Sequence, residues 1–249
     1  MLFRSRSEHL RVVEITVEES RGRVPVLAGA GGYNTAEVIE LVSELKKLGV
    51  DGILSVTPYY NKPTQEGLYQ HYRAIAESTD LPIVLYNVQP RTAVNIETAT
   101  LLRLAEIPNI IGVKEASGNI GQIVSVASRV PEGFLVFSGD DAVAIPLIAM
   151  GGHGVISVVS NEIPGEFTQL TRAALNGDFA TARRIHRKYQ DLMEINFVET
   201  SPGPVKFAMA RMGLLELAYR LPLVPPQPVS QNRVEKTLES LGLLAGVRV

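Results

Sequence analysis

Asn109-Ile110-Ile111-Gly112-Val113-Lys114-Glu115-Ala116-Ser117 reads as a buried strand that ends in a lysine. A short apolar run with no polar alternation suits a strand of a parallel sheet, covered on both faces. The small and polar residues after it open a loop. Long charged side chains are rarely fully buried unless they are paired or used. Lys114 therefore either reaches back to the surface or works at the carboxyl end of its strand. Glu115 is the nearest pairing candidate, but strand alternation turns it to the opposite face.

The same phrase recurs on either side. Apolar runs at 24–29, 52–56, 81–86, 110–114, 134–138 and 154–158 read as six strands. Between them, helical periodicity covers 34–48, 65–78, 96–106, 120–129 and 140–150, and an amphipathic helix at 8–20 precedes the first strand. After Asn161 the strands stop. Residues 162–176, 179–195, 204–212 and 232–243 read as helices, with a proline-rich connection at 221–229. The expected organisation is an α/β region over 1–161, with six βα units, followed by a helical region over 162–249.

Alternating strands and helices imply a parallel sheet covered by helices. A doubly wound open sheet would carry a glycine-rich phosphate loop at its first crossover. Gly29-Ala30-Gly31-Gly32 stands in that place but lacks the G-x-G-x-x-G spacing, and no acidic residue ends the following strand. A (β/α)₈ (TIM) barrel instead places its chemistry at the carboxyl ends of the strands. Those ends carry Thr57-Pro58-Tyr59-Tyr60, Tyr86-Asn87, Lys114-Glu115 and Ser138-Gly139-Asp140. Polar groups gathered at one end of the strands favour the barrel. Six strands fall short of eight, so the expected fold is a TIM barrel without its first two strands and first helix, followed by a C-terminal helical tail.

Composition narrows the chemistry. The chain has 249 residues, 45% of them hydrophobic, enough for a full core. A net charge of −2 makes no electrostatic case for nucleic acid. With no cysteine, disulfides and thiolate chemistry drop out, and a cytosolic protein fits. No apolar run reaches membrane-spanning length, and the start has no apolar core of a signal peptide. His9, His71, His153 and His186 show no metal-ligand spacing.

Lys114 is the first catalytic candidate. Desolvation at a barrel mouth disfavours the charged ammonium. A neutral amine can add to a ketone or aldehyde and form a Schiff base, which acidifies the adjacent carbon. Tyr86 ends the preceding strand, where its phenol could move protons for Lys114, or could simply plug the core. Arg91 follows in Gln89-Pro90-Arg91-Thr92, and a guanidinium over the site suits a substrate carboxylate, although a surface arginine fits as well.

These residues together resemble the dihydrodipicolinate synthase (4-hydroxy-tetrahydrodipicolinate synthase) family. The likeness is carried by Leu85-Tyr86-Asn87-Val88, Arg91-Thr92 and Gly112-Val113-Lys114-Glu115-Ala116. It extends to Thr57-Pro58-Tyr59-Tyr60-Asn61-Lys62-Pro63, Ser138-Gly139-Asp140-Asp141 and Gly151-Gly152-His153-Gly154-Val155-Ile156-Ser157. The resemblance implies condensation of pyruvate with aspartate semialdehyde on the diaminopimelate route to lysine. Lys114 would form the Schiff base, Tyr86 would relay protons, and Arg91 would hold the semialdehyde carboxylate. The match of Tyr60 implies that it joins the relay from a neighbouring subunit, hence a homodimer or homotetramer. Gly139 and Ile156 would line the pocket with backbone. His9, Glu37 and Tyr59 match the family's lysine-effector site, with Tyr33 where an asparagine is frequent. No metal or organic cofactor is implied, and neither nucleic acid nor membrane is an expected partner.

The chain also departs from the family pattern. The family's Gly-Thr-Thr-Gly-Glu-like loop, which supplies a relay threonine and a carboxylate cradle, has no match, and the expectation is a truncated chain that is weakly active or inactive. Gln89-Pro90 and Ala93 alter the substrate loop, and Ser201-Pro202-Gly203-Pro204 varies a packing segment. Two other readings compete: a related pyruvate-dependent aldolase acting on a sugar acid or keto acid, and a truncated paralogue with a binding or oligomerising role.

Overall fold

The computed structural model describes residues 4–244. Packing divides the chain into two compact units. The first runs through Gly139 and adds Met150–His153; the second holds Asp140–Ala149 and the chain from Gly154 onward. The sequence draws its boundary at residue 161, where strands give way to helices. The packing boundary follows contacts instead, and places the last strand with the helices.

In the first unit, helix α1 (Arg6–Ser20) begins before residue 8 because Ser5 caps it. The Ser5 hydroxyl accepts from the Glu8 N–H, and the Glu8 carboxylate accepts from the Ser5 N–H, a reciprocal capping box. Five strands follow: β1 (Leu27–Gly29), β2 (Gly52–Val56), β3 (Ile83–Asn87), β4 (Ile110–Glu115) and β5 (Leu135–Ser138). All pair in parallel with their chain neighbours. Helices α2 (Thr35–Lys47), α3 (Gln65–Glu77), α5 (Thr98–Leu104) and α6 (Ile120–Ala127) connect them, with the short α4 (Gln89–Thr92) inside the β3–α5 loop. Asn34, Thr64 and Asn119 cap α2, α3 and α6 through their side chains.

Register then sorts the side chains. Ser55, Leu85, Val113 and Val136 stand side by side in one row, and all are buried. The next row, Val56, Tyr86, Lys114 and Phe137, points to the other face and is half-buried. The strand of Lys114 is therefore not covered equally on both sides, as its apolar run suggests, but alternates along its length. Gly112 lets β4 run close to β5, since a Cβ there would lie 2.5 Å from the Leu135 carbonyl oxygen. Helix α3 closes the buried face with Leu68, Tyr72 and Ile75, each fully buried, and each worth about 1.5–3 kcal/mol of apolar burial. The Tyr72 hydroxyl donates to the Ser55 carbonyl at 3.2 Å, so its polar tip is satisfied as well.

The second unit opens with a 3₁₀ turn (Asp141–Val143) and α7 (Ala144–Ala149), where the sequence reads one helix over 140–150. Asp140 caps that turn through its side chain. Strand β6 is only Gly154–Val155. Asp141 accepts from the Val158 and Val159 N–H groups, so the backbone beyond β6 bonds to a side chain rather than to a strand. A second 3₁₀ turn (Val159–Asn161) leads into α8 (Pro164–Leu175), α9 (Phe179–Ile195), α10 (Gly203–Arg211) and α11 (Pro228–Ser240). Helix α11 starts earlier than 232 because Pro228 takes the first-turn position where its missing N–H costs nothing. Phe167, Leu170, Ile185, Leu192, Val234 and Leu238 form the core of this unit. Among the described residues six strands form, and no helix is long and apolar enough to cross a membrane.

Candidate active site

Strand register brings Tyr86 and Lys114 together as parallel partners on one face. The Lys114 Nζ lies 4.3 Å from the centre of the Tyr86 ring. Burial raises the pKa of the Tyr86 phenol above its ordinary value, and the charge of Arg91 pulls the other way. Tyr86 therefore keeps its proton at neutral pH and can donate it. Arg91 is exposed and lines the same cavity as Tyr86.

An open cavity of about 980 Å³ lies beside the pair, lined by Gly29, Leu54, Val56, Tyr60, Tyr86 and Arg91 among others. Lys114 stands next to it in the same row as Val56 and Tyr86. Gly139 explains part of the room the lysine has. A Cβ there would lie 2.6 Å from the Ala116 Cβ and 2.9 Å from the Lys114 Cε.

Tyr60 sits at the rim, 91% exposed, with its backbone in the left-handed region at φ 72°. A non-glycine residue pays roughly 1–2 kcal/mol for that conformation, and it leaves the exposed ring at the cavity mouth. Ile156 lies in the second unit just past β6, half-buried. His9, Glu37 and Tyr59 share a smaller, polar cavity of about 240 Å³ with Tyr33 and Asn34. There the Tyr33 and Tyr59 rings meet edge to face at 5.5 Å, and Asn34 donates to Glu37 at 3.0 Å. Burial, then Tyr33 and Glu37, push the Tyr59 phenol above its ordinary value.

Several structural partners escape sequence reading. The Thr57 hydroxyl donates to the Thr92 hydroxyl at 3.1 Å and fastens the loop that carries Arg91. Thr92 in turn bonds the Val88 and Val94 carbonyls. Glu115 is buried and accepts from Asn87 and from the Ser117 N–H. Only the placement of Glu115 opposite Lys114 is legible in the sequence, from strand alternation. The threonine pair joins residues far apart in the chain, and nothing local signals it.

A parallel βα sheet with a lysine and a tyrosine side by side at its strand ends thus presents an amine and a phenol beside one open cavity. The matching family model, described as the dihydrodipicolinate synthetase family, covers residues 2–241. The chain is 54% identical over 246 residues to the 4-hydroxy-tetrahydrodipicolinate synthase of Koribacter versatilis, covering 98% of this chain and 82% of that one. It also superposes on the crystal structure of dihydrodipicolinate synthase from Aquifex aeolicus with a TM-score of 0.95 at 43% identity, covering 98% of this chain and 84% of the other. The chloride-inhibited dihydrodipicolinate synthase from Acinetobacter baumannii, solved in complex with pyruvate, matches with a TM-score of 0.95 at 41% identity, over 97% of this chain and 83% of its own. The chain belongs to the dihydrodipicolinate synthetase family.

Proposed function

We propose that this chain is a Schiff-base lyase that condenses pyruvate with aspartate semialdehyde to 4-hydroxy-tetrahydrodipicolinate, in lysine biosynthesis by the diaminopimelate route. The observation that carries the reading is the Lys114 Nζ at 4.3 Å from the Tyr86 ring, on paired strands beside an open cavity. Family membership and the names of the relatives support the same chemistry.

In this reading the Lys114 amine adds to the keto carbon of pyruvate, and water leaves as the imine forms. The methyl carbon then loses a proton and becomes the nucleophilic carbon of an enamine. That carbon bonds to the aldehyde carbon of the second substrate, whose oxygen takes a proton and becomes the hydroxyl. The amine of the same substrate attacks the imine carbon, closes the ring and releases Lys114. Tyr86, kept protonated by burial, hands protons in and out. Arg91 grips the semialdehyde carboxylate. Gly139 lines the pocket with its backbone, and Ile156 is assigned the same role. Tyr60, exposed at the cavity rim, joins the relay of a neighbouring copy, so the active form is a homodimer or homotetramer. The imine on Lys114 acts as the electron sink, and the route calls for no cofactor. The cavity of His9, Glu37 and Tyr59 is the effector site for lysine. We read the six strands as members of a (β/α)₈ barrel, residues 1–161 as its βα units and 162–249 as its helical region, and the enzyme as cytosolic.

Borohydride trapping tests this directly. With pyruvate present, reduction is expected to fix a pyruvate-derived adduct on the peptide carrying Lys114, read by mass spectrometry. Lys114→Ala is expected to take none. An unmodified Lys114 under saturating pyruvate would sink the reading. Trapping followed by turnover with a sugar-acid aldehyde instead of aspartate semialdehyde would move the substrate assignment and keep the chemistry.

A further inference from the structure

Asn87 and Glu115 are register partners on the face opposite Tyr86 and Lys114. Both are buried, at 0% and 1% exposure. The Asn87 amide nitrogen donates to Glu115 Oε2 at 3.1 Å, and the Ser117 N–H donates to Glu115 Oε1 at 2.7 Å. A carboxylate only accepts, so it holds the Asn87 nitrogen toward itself. That fixes the Asn87 oxygen in the other direction, where it accepts from the Ile96 N–H at 3.0 Å. The Asn87 nitrogen also donates to Asn95 Oδ1 at 2.9 Å. Asn95 and Gln122 then exchange two side-chain hydrogen bonds, at 2.8 and 3.1 Å, and Gln122 donates to the Ile96 carbonyl at 3.1 Å.

A continuous line of polar groups thus runs from the peptide just after Lys114 to the far end of the loop that carries Arg91. The near end of that loop is held by Thr57 and Thr92. Each orientation in the line is dictated by the one before it, starting from the Glu115 carboxylate. Buried networks of this kind hold one arrangement when fully satisfied and lose it when one member changes polarity.

We infer that Glu115 is a positioning residue that sets the arginine loop relative to the lysine strand, and so governs recognition of the aldehyde substrate. This rests on the reading of Lys114 as the imine lysine and Arg91 as the carboxylate grip. Glu115 touches no substrate. Its effect passes through Asn87 and the backbone at Ile96.

The test is Glu115→Gln, with the polarity-swapped double variant Asn87→Asp/Glu115→Gln. A glutamine keeps its oxygen on the Ser117 N–H and turns its NH₂ toward the Asn87 NH₂. Two donors then face each other; the Asn87 amide turns over to relieve them, and Ile96 loses its acceptor. In the double variant the carboxylate introduced at position 87 accepts from both the glutamine NH₂ and the Ile96 N–H, but no longer donates to Asn95 Oδ1. Glu115→Gln is expected to raise KM for aspartate semialdehyde about tenfold while kcat moves less than about threefold, the pattern of lost substrate positioning. Hydrogen exchange at the Ile96 amide is expected to quicken while Ser117 stays protected. The double variant is expected to recover Ile96 protection in full and KM in part, since Asn95 loses its donor from position 87. Should Glu115→Gln fail to fold, Gln122→Ala cuts the line on its outer side, where it removes the donor to the Ile96 carbonyl, and is expected to give the same KM rise with the Ile96 amide still held by Asn87. A wild-type KM in Glu115→Gln or Gln122→Ala overturns the inference, as does wild-type Ile96 exchange in Glu115→Gln or a double variant whose Ile96 amide exchanges as fast as in the single one. Failure of wild-type pyruvate trapping overturns the condensation reading instead, and Ile96 exchange then still decides whether Glu115 orders the loop.

Discussion

Gly139 and Lys114 compete for one small volume, and the lysine holds it because the glycine has no side chain. Ala116 is rigid and stands 2.6 Å from the place a Cβ would take, so the strain of Gly139→Ala cannot be relieved on that side. The Lys114 stem, 2.9 Å away at Cε, has to move. A misplacement of about 1 Å at a reacting group can cost on the order of a hundredfold. Gly139→Ala is expected to slow pyruvate trapping on Lys114 by at least about tenfold, measured as the rate of adduct formation; an unchanged rate would show that the stem has other room. Tyr86 offers a second measurement. Its phenol stays protonated because burial outweighs the pull of Arg91. Tyr86→Phe keeps the ring over the lysine and removes only the hydroxyl that carries the proton. Its kcat is expected to fall about a hundredfold, with KM for pyruvate little changed, and steady-state kinetics at neutral pH decide it.

At the scale of elements, the loop between β3 and α5 is held by side chains rather than by strand pairing. Thr92 accepts from Thr57 and from the Val94 N–H and donates to backbone carbonyls, all in a buried setting. Thr92→Val keeps the shape and removes these bonds, leaving the Thr57 hydroxyl and the Val94 N–H without that partner. The expected loss is about 1–3 kcal/mol, read as a lower urea midpoint together with a higher KM for the aldehyde substrate. A variant as stable as the parent would mean that the loop finds other bonds. This loop also marks where sequence reading ends. Apolar periodicity and capping residues place β2, α2 and α9 within a residue or so, because those signals are local. The strand-end placement of Tyr86 and Lys114 follows from the same pattern. The helix α4 does not, since four residues carry no period, and Ala93 ends it in a left-handed conformation that favours glycine. The start of α1 is encoded in Ser5 and Glu8, two residues earlier than apolar periodicity alone puts it. The contacts of Thr57 with Thr92 and of Asn87 with Glu115 arise only once strands pair, so no window of sequence contains them.

Across the whole molecule, two buried titratable groups set opposite slopes of stability with pH. His71 is buried in the first unit, with its Nδ1 2.9 Å from the Thr35 hydroxyl, and burial lowers its pKa to about 4 from 6.5. Its contribution is present above 6.5 and is lost as pH falls toward 4. Glu162 is buried in the second unit, where Asn196 donates to it at 2.6 Å. Burial raises its pKa to about 8 from 4.5, against the Asn196 hydrogen bond. Its contribution is full below 4.5, declines as pH rises, and is gone once pH passes about 8. Between 4.5 and 6.5 the two slopes oppose each other. Above 6.5 the histidine no longer changes, and the glutamic acid alone of the two drives stability down. One pKa unit is about 1.4 kcal/mol, so the fall from about pH 6.5 to 8 is on the order of 2 kcal/mol, several degrees in melting temperature for a chain of this size. Glu162→Gln keeps an oxygen for the Asn196 amide and cannot ionise. It is expected to melt close to the parent at about pH 4 to 4.5, and increasingly above it as pH rises, already by several degrees near pH 6.5 and by more at about pH 8.5, with the alkaline slope flattened. Parallel melting curves for the two proteins across that range would mean that Glu162 ionises in the folded state without penalty, and that burial in this pocket does not hold its proton.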